Sequence, residues 1–233
     1  MSSIKRHDGG SAGDVDAFLA RVRQTPAPAA SNGRGRLVLA MDATMSRQHS
    51  WDQALAIQAD MFAEAGSLGG LDVQLVYFRG AGECRASKWS ADTQSLARLM
   101  SGIRCAGGQT QIFRVLKHLR AEAGQGKVNA CVYIGDALEE QIDELAAVAG
   151  EVGLLGIPVF MFQEGHDPTA EAGFREIARL TRGAYFRFGR DSAKVLRELL
   201  TAVAVYAAGG YKALSSHSAE RGGAAALLLK QMK

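Results

Sequence analysis

Residues 37–41 form a short unbroken apolar run that stops at Asp42, the pattern of a strand buried on both faces. Trp51, Leu55, Gln58, Phe62 and Ala65 follow at helical spacing, with Ser50 as a predicted N-cap and Gln53 completing a capping box. Residues 66–70 end that helix, and residues 71–79 read as a second strand. Gly80 and Gly82 make a tight turn, after which residues 84–89 return as a short antiparallel edge strand. Asp92 caps a predicted helix carrying Leu96, Leu99, Met100 and Ile103. Thr110 opens the next, whose stripe is Ile112, Val115, Leu116 and Leu119. Residues 128–134 are another apolar strand, followed by an acid, Asp136. Next come a helix with Ile142, Leu145, Ala146 and Ala149, a strand at 157–162, and a helix with Phe174, Ile177, Ala178 and Thr181. A last strand at 184–188 precedes a helix opened by Asp191 or Ser192, carrying Val195, Leu196, Leu199, Val203 and Tyr206, and stopped by Gly209 and Gly210.

Such alternation predicts an α/β fold: a doubly wound, mainly parallel six-stranded sheet with one antiparallel edge strand and helices on both faces. Three segments are expected. Residues 1–35 hold a polar stretch, a short helix at 15–23 with Phe18, Leu19 and Val22 on one side, and a linker rich in Pro, Ala, Ser and Gly. Residues 36–210 are the folded domain, and residues 211–233 a loosely attached tail with a short helix at 224–232.

Length and composition agree with one soluble domain: 233 residues, 47% hydrophobic and 22% charged. The formal net charge of +3 is too small to argue for nucleic-acid binding. The apolar stretches fall well short of the roughly 20 residues that cross a bilayer, and the first ten residues lack the apolar core of a secretory signal. Cys84, Cys105 and Cys131 are widely spaced with no CxxC pair, which speaks against a zinc knuckle or a disulfide framework and suits a reducing, cytoplasmic setting.

The chemistry is expected where strands end, because ligands of open parallel sheets sit beyond the carboxyl ends of the strands, where strand order reverses. Asp42 and Asp136 close two strongly apolar strands that the usual winding makes neighbours. Two carboxylates so placed repel each other unless a cation lies between them. Thr44 and Ser46, at alternate positions after Asp42, can turn their oxygens to the same side. Gly107 and Gly108 let a loop approach closely and present Thr110. An all-oxygen set suits Mg²⁺ or Mn²⁺ better than zinc or copper.

This arrangement resembles the von Willebrand factor type A (VWA) domain with its metal-ion-dependent adhesion site (MIDAS), of the bacterial cytoplasmic kind. Asp42-Ala43-Thr44-Met45-Ser46 resembles the family's Asp-x-Ser-x-Ser, with threonine for the first serine. Gly107-Gly108-Gln109-Thr110 resembles its Gly-rich loop and threonine. Gly135-Asp136-Ala137 carries the later Asp, with alanine where the family often has glycine. The likeness covers about residues 36–208. It implies direct ligation of Mg²⁺ or Mn²⁺ by Thr44, Ser46 and Thr110, with Asp42 and Asp136 acting largely through water, and one exchangeable position that a partner's Asp or Glu can fill. The implied function is a metal-dependent protein-interaction module, an adaptor or subunit of a larger assembly, by resemblance one built around an ATPase or chaperone-like machine. The resemblance implies a binding protein and not an enzyme.

Two other readings stand beside it. One is a Mg²⁺-dependent phosphohydrolase with Asp42 as nucleophile, although such enzymes want a second Asp where Thr44 stands. The other is a structural or RNA-contacting domain with a vestigial site. Each candidate side chain also has a plainer role, since Asp, Ser and Thr after strands often cap helices. His49, His118 and His166 read as surface residues, Trp51 as core, Trp89 as packing on the edge hairpin, and Arg175, Arg179, Arg182, Arg187 and Arg190 as a solvated face. Glu139 and Glu140 read as first-turn acids favouring the dipole of the helix that follows them. Walker A, GxGxxG and GxSxG motifs are absent from the sequence.

Overall fold

The computed structural model describes residues 33–45, 48–189 and 193–232. The predicted helix at 15–23, Ser46, Arg190 and the Asp191 or Ser192 cap lie outside the described residues. Strand β1 (Gly35–Asp42) leads to α1 (Gln48–Gly66), β2 (Leu71–Arg79), β3 (Glu83–Ala86) and α2 (Thr93–Ser101). Then come α3 (Ile112–Ala123), β4 (Ala130–Gly135), α4 (Ile142–Leu154), β5 (Val159–Glu164), α5 (Pro168–Leu180), β6 (Tyr185–Phe188), α6 (Ala193–Arg221) and α7 (Gly223–Gln231).

The strands form one sheet in the order β3-β2-β1-β4-β5-β6, parallel throughout except for β3, which pairs antiparallel with β2. The apolar runs of β1, β4 and β5 are buried on both faces because helices cover both sides. Alternation along β1 divides the core. Leu37, Leu39 and Met41 pack with Trp51, Met61, Leu96 and Val203, whereas Val38 and Ala40 pack with Val115, Leu119, Val148 and Phe174.

Local signals explain several element ends. Asp92 caps α2 by accepting from the Ser95 N–H at 2.9 Å, and Asp167 caps α5 by accepting from the Ala170 N–H at 2.6 Å, with Pro168 in the first turn. Trp51 is core, its indole N–H donating to the Met100 carbonyl at 3.1 Å. Trp89 is half-buried, lies under the Arg36 guanidinium at 4.0 Å and donates to Glu122 at 3.1 Å, so it packs rather than standing free. The Arg175 and Arg187 guanidinium groups pair with Glu171, and Arg179 pairs with Glu176, as on a solvated face.

Other expectations are corrected. Ser50 does not cap α1. It lies inside the helix, buried, and its hydroxyl donates to the Glu164 carboxylate. Strand β5 runs two residues past the expected end because Gln163 and Glu164, though polar, find partners there; Gln163 accepts from the Tyr185 hydroxyl at 2.6 Å and donates to the Asp167 carbonyl at 2.8 Å. The helix stop expected at Gly210 is present, but it is a break and not the end of helical structure. That glycine takes a conformation of positive φ (φ 70°, ψ −166°) that breaks α6, and helix resumes beyond it. The C-terminal residues are not loosely attached. Leu214 and Leu228 are fully buried in the main core, and the Gln231 side chain both accepts from the Tyr185 N–H (2.8 Å) and donates to the Tyr185 carbonyl (3.0 Å).

His118 is also not a surface residue. It is half-buried and its Nε2 lies 2.8 Å from the Gln74 side-chain oxygen. Burial lowers its pKa below the ordinary histidine value, against a smaller opposing pull from Glu122. A depressed folded-state pKa means that the unfolded chain takes up the proton first on acidification. The stability contributed by neutral His118 is therefore present above about pH 6.5 and lost as pH falls through the folded-state pKa. The melting temperature should fall between about pH 7.5 and about pH 5.5, and the fall should be smaller in His118→Asn. Equal falls in thermal melts of the two proteins would refute this.

Candidate functional site

The chain winds outward from β1 to β2 and β3, then returns to β4 and continues to β5 and β6, so strand order reverses between β1 and β4. Met41 is in register with Ile134, which places Asp42, at the end of β1, and Asp136, just beyond β4, at the carboxyl edge of adjacent strands. This is the crevice position at which doubly wound sheets take ligands.

Asp42 is buried at this edge, and one carboxylate oxygen accepts from the Thr44 N–H at 2.7 Å. That Asx-type turn shapes the loop after β1. Thr44 is buried, whereas Met45 beside it is 67% exposed. Ser46 lies outside the described residues. The loop bearing Thr110 is tied to the loop bearing Thr44, since the Ala106 N–H donates to the Ala43 carbonyl at 3.0 Å. It is tied to β2 as well: the Gly80 N–H donates to the Gly107 carbonyl at 3.0 Å and the Gln109 N–H to the Gly80 carbonyl at 3.3 Å. Gly108 is needed for that approach, because a Cβ on it would lie 2.2 Å from the Gly80 nitrogen.

Thr110 is buried just before α3 rather than inside its first turn. Its hydroxyl accepts from the Glu139 N–H at 3.0 Å, and its own N–H donates to the Glu139 carboxylate at 2.9 Å. Glu140 reaches the same place. Its two carboxylate oxygens accept from the N–H groups of Ile112 (2.6 Å) and Phe113 (2.8 Å), the first two residues of α3. The expectation that these acids serve the dipole of α4 is thus corrected. Glu140 caps α3, a helix more than twenty residues earlier in the chain, and Glu139 holds Thr110 just ahead of it; Asp143 and Glu144 occupy the first turn of α4. Sequence reasoning missed Glu139, Glu140 and Glu164 as neighbours of the site edge. The local signal at the first two resembles any acidic helix start, and Glu164 continues an apolar run with no sign of burial.

A hard cation is chemically compatible with this donor set. Among the described residues, His, Cys, Asp and Glu do not gather in threes suited to a metal, so any cation here must draw on hydroxyls as well as acids. The Thr110 hydroxyl oxygen has a second lone pair beyond the one that accepts from the Glu139 N–H. Two clefts of about 370 and 440 Å³ lie elsewhere, the first between α1, both ends of α6 and the start of α7, the second between α1 and the later part of α6. The first of them is lined by acid–base pairs, Asp60 with Arg197 and Glu64 with Arg221.

No protein-family model matches the sequence, and no curated protein matches it significantly. Solved structures do resemble the fold. An aerotolerance-related membrane protein from Bacteroides fragilis, with multiple mutations to serines, superposes with a TM-score of 0.54 at 18% identity over 71% of this chain and 96% of its own. A von Willebrand factor type A protein from Catenulispora acidiphila gives a TM-score of 0.54 at 18% identity over 76% of this chain, which spans 43% of that protein. The SpRpn10 VWA domain gives 0.55 at 10% identity over 76% of this chain and 97% of its own. Among the described residues no helix is long and apolar enough to cross a membrane. Strand order, the antiparallel edge strand and these superpositions agree that the chain has the fold of a von Willebrand factor type A domain.

Proposed function

We propose that this chain is a protein-interaction module that holds one Mg²⁺ or Mn²⁺ at the reversal between β1 and β4 and uses it to bind an Asp or Glu of a partner protein. The observation that carries the reading is the joining of three loops at that edge, one bearing Asp42 and Thr44, one Thr110 and one following Asp136. Thr44, Ser46 and Thr110 would hold the ion directly, and Asp42 and Asp136 through water. The ion supplies a positive charge that neutral hydroxyls leave largely uncompensated, so a carboxylate is the fitting exchangeable ligand. Met45, exposed between two of the ligands, offers an apolar contact beside it.

Phosphate chemistry is less well served. The N–H groups opening α3, which would otherwise favour a phosphate, are taken by the chain's own Glu140, and Thr44 stands where a phosphohydrolase would want a second Asp. The reading is therefore of a binding protein rather than an enzyme. A cytoplasmic setting goes with its cysteines, of which none is in a disulfide.

Calorimetry with Mg²⁺ and Mn²⁺, together with partner capture in the presence and absence of EDTA, tests the proposal. The wild type should bind one ion, gain melting temperature on saturation and lose its partner in EDTA. Asp42→Ala should weaken the ion by about 10- to 100-fold. Capture unaffected by both EDTA and Asp42→Ala would refute metal bridging, and phosphomonoester turnover lost in Asp42→Asn would favour the enzyme instead.

A further inference from the structure

Glu139 and Thr110 exchange two hydrogen bonds: the Thr110 N–H to the Glu139 carboxylate at 2.9 Å, and the Glu139 N–H to the Thr110 hydroxyl at 3.0 Å. They lie 29 residues apart in sequence, on loops that enter the site edge from different sides of the chain's reversal. Glu140 anchors the pair by holding the Ile112 and Phe113 N–H groups at 2.6 and 2.8 Å. Four hydrogen bonds therefore join the loop that follows Asp136 to the segment that carries Thr110. They use both backbone and side chain of Glu139, so a rotamer change alone cannot release the contact.

We propose that Glu139 is a positioning residue for Thr110, one that fixes the threonine hydroxyl in the direction ligation requires; this rests on the reading of the edge as a cation site. The reason lies in the hydroxyl. A threonine oxygen has two lone pairs and one proton. The backbone N–H at position 139, which any side chain there keeps, occupies one lone pair, so where the other points depends on where the threonine itself is held. That holding is the part of the Glu139 carboxylate, which accepts from the Thr110 backbone N–H and sets the position from which the side chain projects. Glu139 is exposed, and its part is that of a neutral-compatible acceptor for an N–H, not of a charge on the ion. Outer groups of this kind commonly decide metal affinity through the ligand they orient.

This distinction makes the inference testable. Mg²⁺ and Mn²⁺ affinities would be measured by calorimetry on the full chain, with the Mn²⁺ paramagnetic resonance spectrum as a report on coordination and melting without metal as a control. Glu139→Ala removes the acceptor and should weaken both ions by about 10-fold and broaden the Mn²⁺ spectrum, with the metal-free melting temperature little changed. Glu139→Gln keeps an acceptor oxygen while removing the charge, and should bind within about 3-fold of the wild type. If Gln is as weak as Ala, Glu139 acts by its charge at the ion and the positioning role is overturned. If Ala binds as the wild type does, it is overturned as well. A wild type that binds neither ion overturns the reading of the site itself and this inference with it, whereas a binding wild type with unchanged Glu139 variants overturns only the inference.

Discussion

A chain ended at Gly222 is expected to fold poorly or not at all. Helix α7 brings Ala224, Ala225 and Leu228 into the main core, the last of them fully buried against it. Losing a buried leucine side chain costs about 2–5 kcal/mol. The two Gln231–Tyr185 hydrogen bonds add about 1 kcal/mol each, and they complete the backbone pairing at the start of β6, an edge strand. The total, about 4–7 kcal/mol, is comparable with the whole stability of an ordinary domain, about 5–15 kcal/mol. Denaturant unfolding should show the shortened chain unfolded or nearly so, and Leu228→Ala in the full chain less stable by about 2–5 kcal/mol. A shortened chain with an unchanged unfolding midpoint would mean that α7 is only an appendage.

The tail illustrates where the sequence pattern stops informing. Residues 211–223 are rich in Ser, His, Gly and Ala, and read alone they carry little apolar periodicity. Leu214 is an isolated apolar residue, and Leu228 is one of three consecutive leucines; the burial of each depends on a core assembled from distant elements, which no local window contains. Gly210 was legible as a helix stop, since a glycine of positive φ does break α6 there. The helix expected at 224–232 is present as α7; what was not legible is that helix would resume directly after Gly210 and that both pieces would pack on the main core. Strands fared differently. Residues 71–79 form β2 as expected, and β1 ends at Asp42, because a run of buried residues between two helical layers leaves a continuous apolar signature.

The site edge divides the same way. Asp42, Thr44 and Thr110 could be picked out because each follows or precedes a recognisable element, and strand order puts the first and the Asp136 loop at the reversal. The hydrogen bonds that organise them were hidden. Glu139 and Glu140 sit just ahead of a helix, where acids are common, and only the tertiary arrangement turns them toward α3. Ser50 is the reverse case. It has every local mark of an N-cap, yet it is drawn into α1 and bonded to Glu164, a strand-end acid that needs a donor in the interior. In both cases a long-range partner outweighs the local preference, which is worth only about 1 kcal/mol.

Gly107 and Gly108 look interchangeable in the sequence, and their alanine variants are expected to differ sharply. A Cβ on Gly107 would meet nothing within 4 Å, whereas one on Gly108 would lie 2.2 Å from the Gly80 nitrogen and 2.7 Å from the Gly80 oxygen. Those atoms are backbone, and they already take part in the bonds from Gly80 to Gly107 and from Gln109 to Gly80. The loop cannot yield by rotating a side chain; it must separate from β2. Gly108→Ala should therefore cost about 1–3 kcal/mol for the steric conflict and about 1 kcal/mol for each bond lost, while Gly107→Ala stays within about 0.5 kcal/mol of the wild type. Because Thr110 lies two residues beyond Gly108, the displaced loop should also carry its hydroxyl away from Asp42 and Thr44. Calorimetry should then find Mg²⁺ binding weakened by at least about 10-fold in Gly108→Ala and preserved in Gly107→Ala. Equal stability of the two variants in denaturant unfolding would show that the Gly80–Gly108 contact can relax. Equal Mg²⁺ affinity, with Gly108→Ala destabilised as expected, would show that the position of Thr110 does not govern the ion.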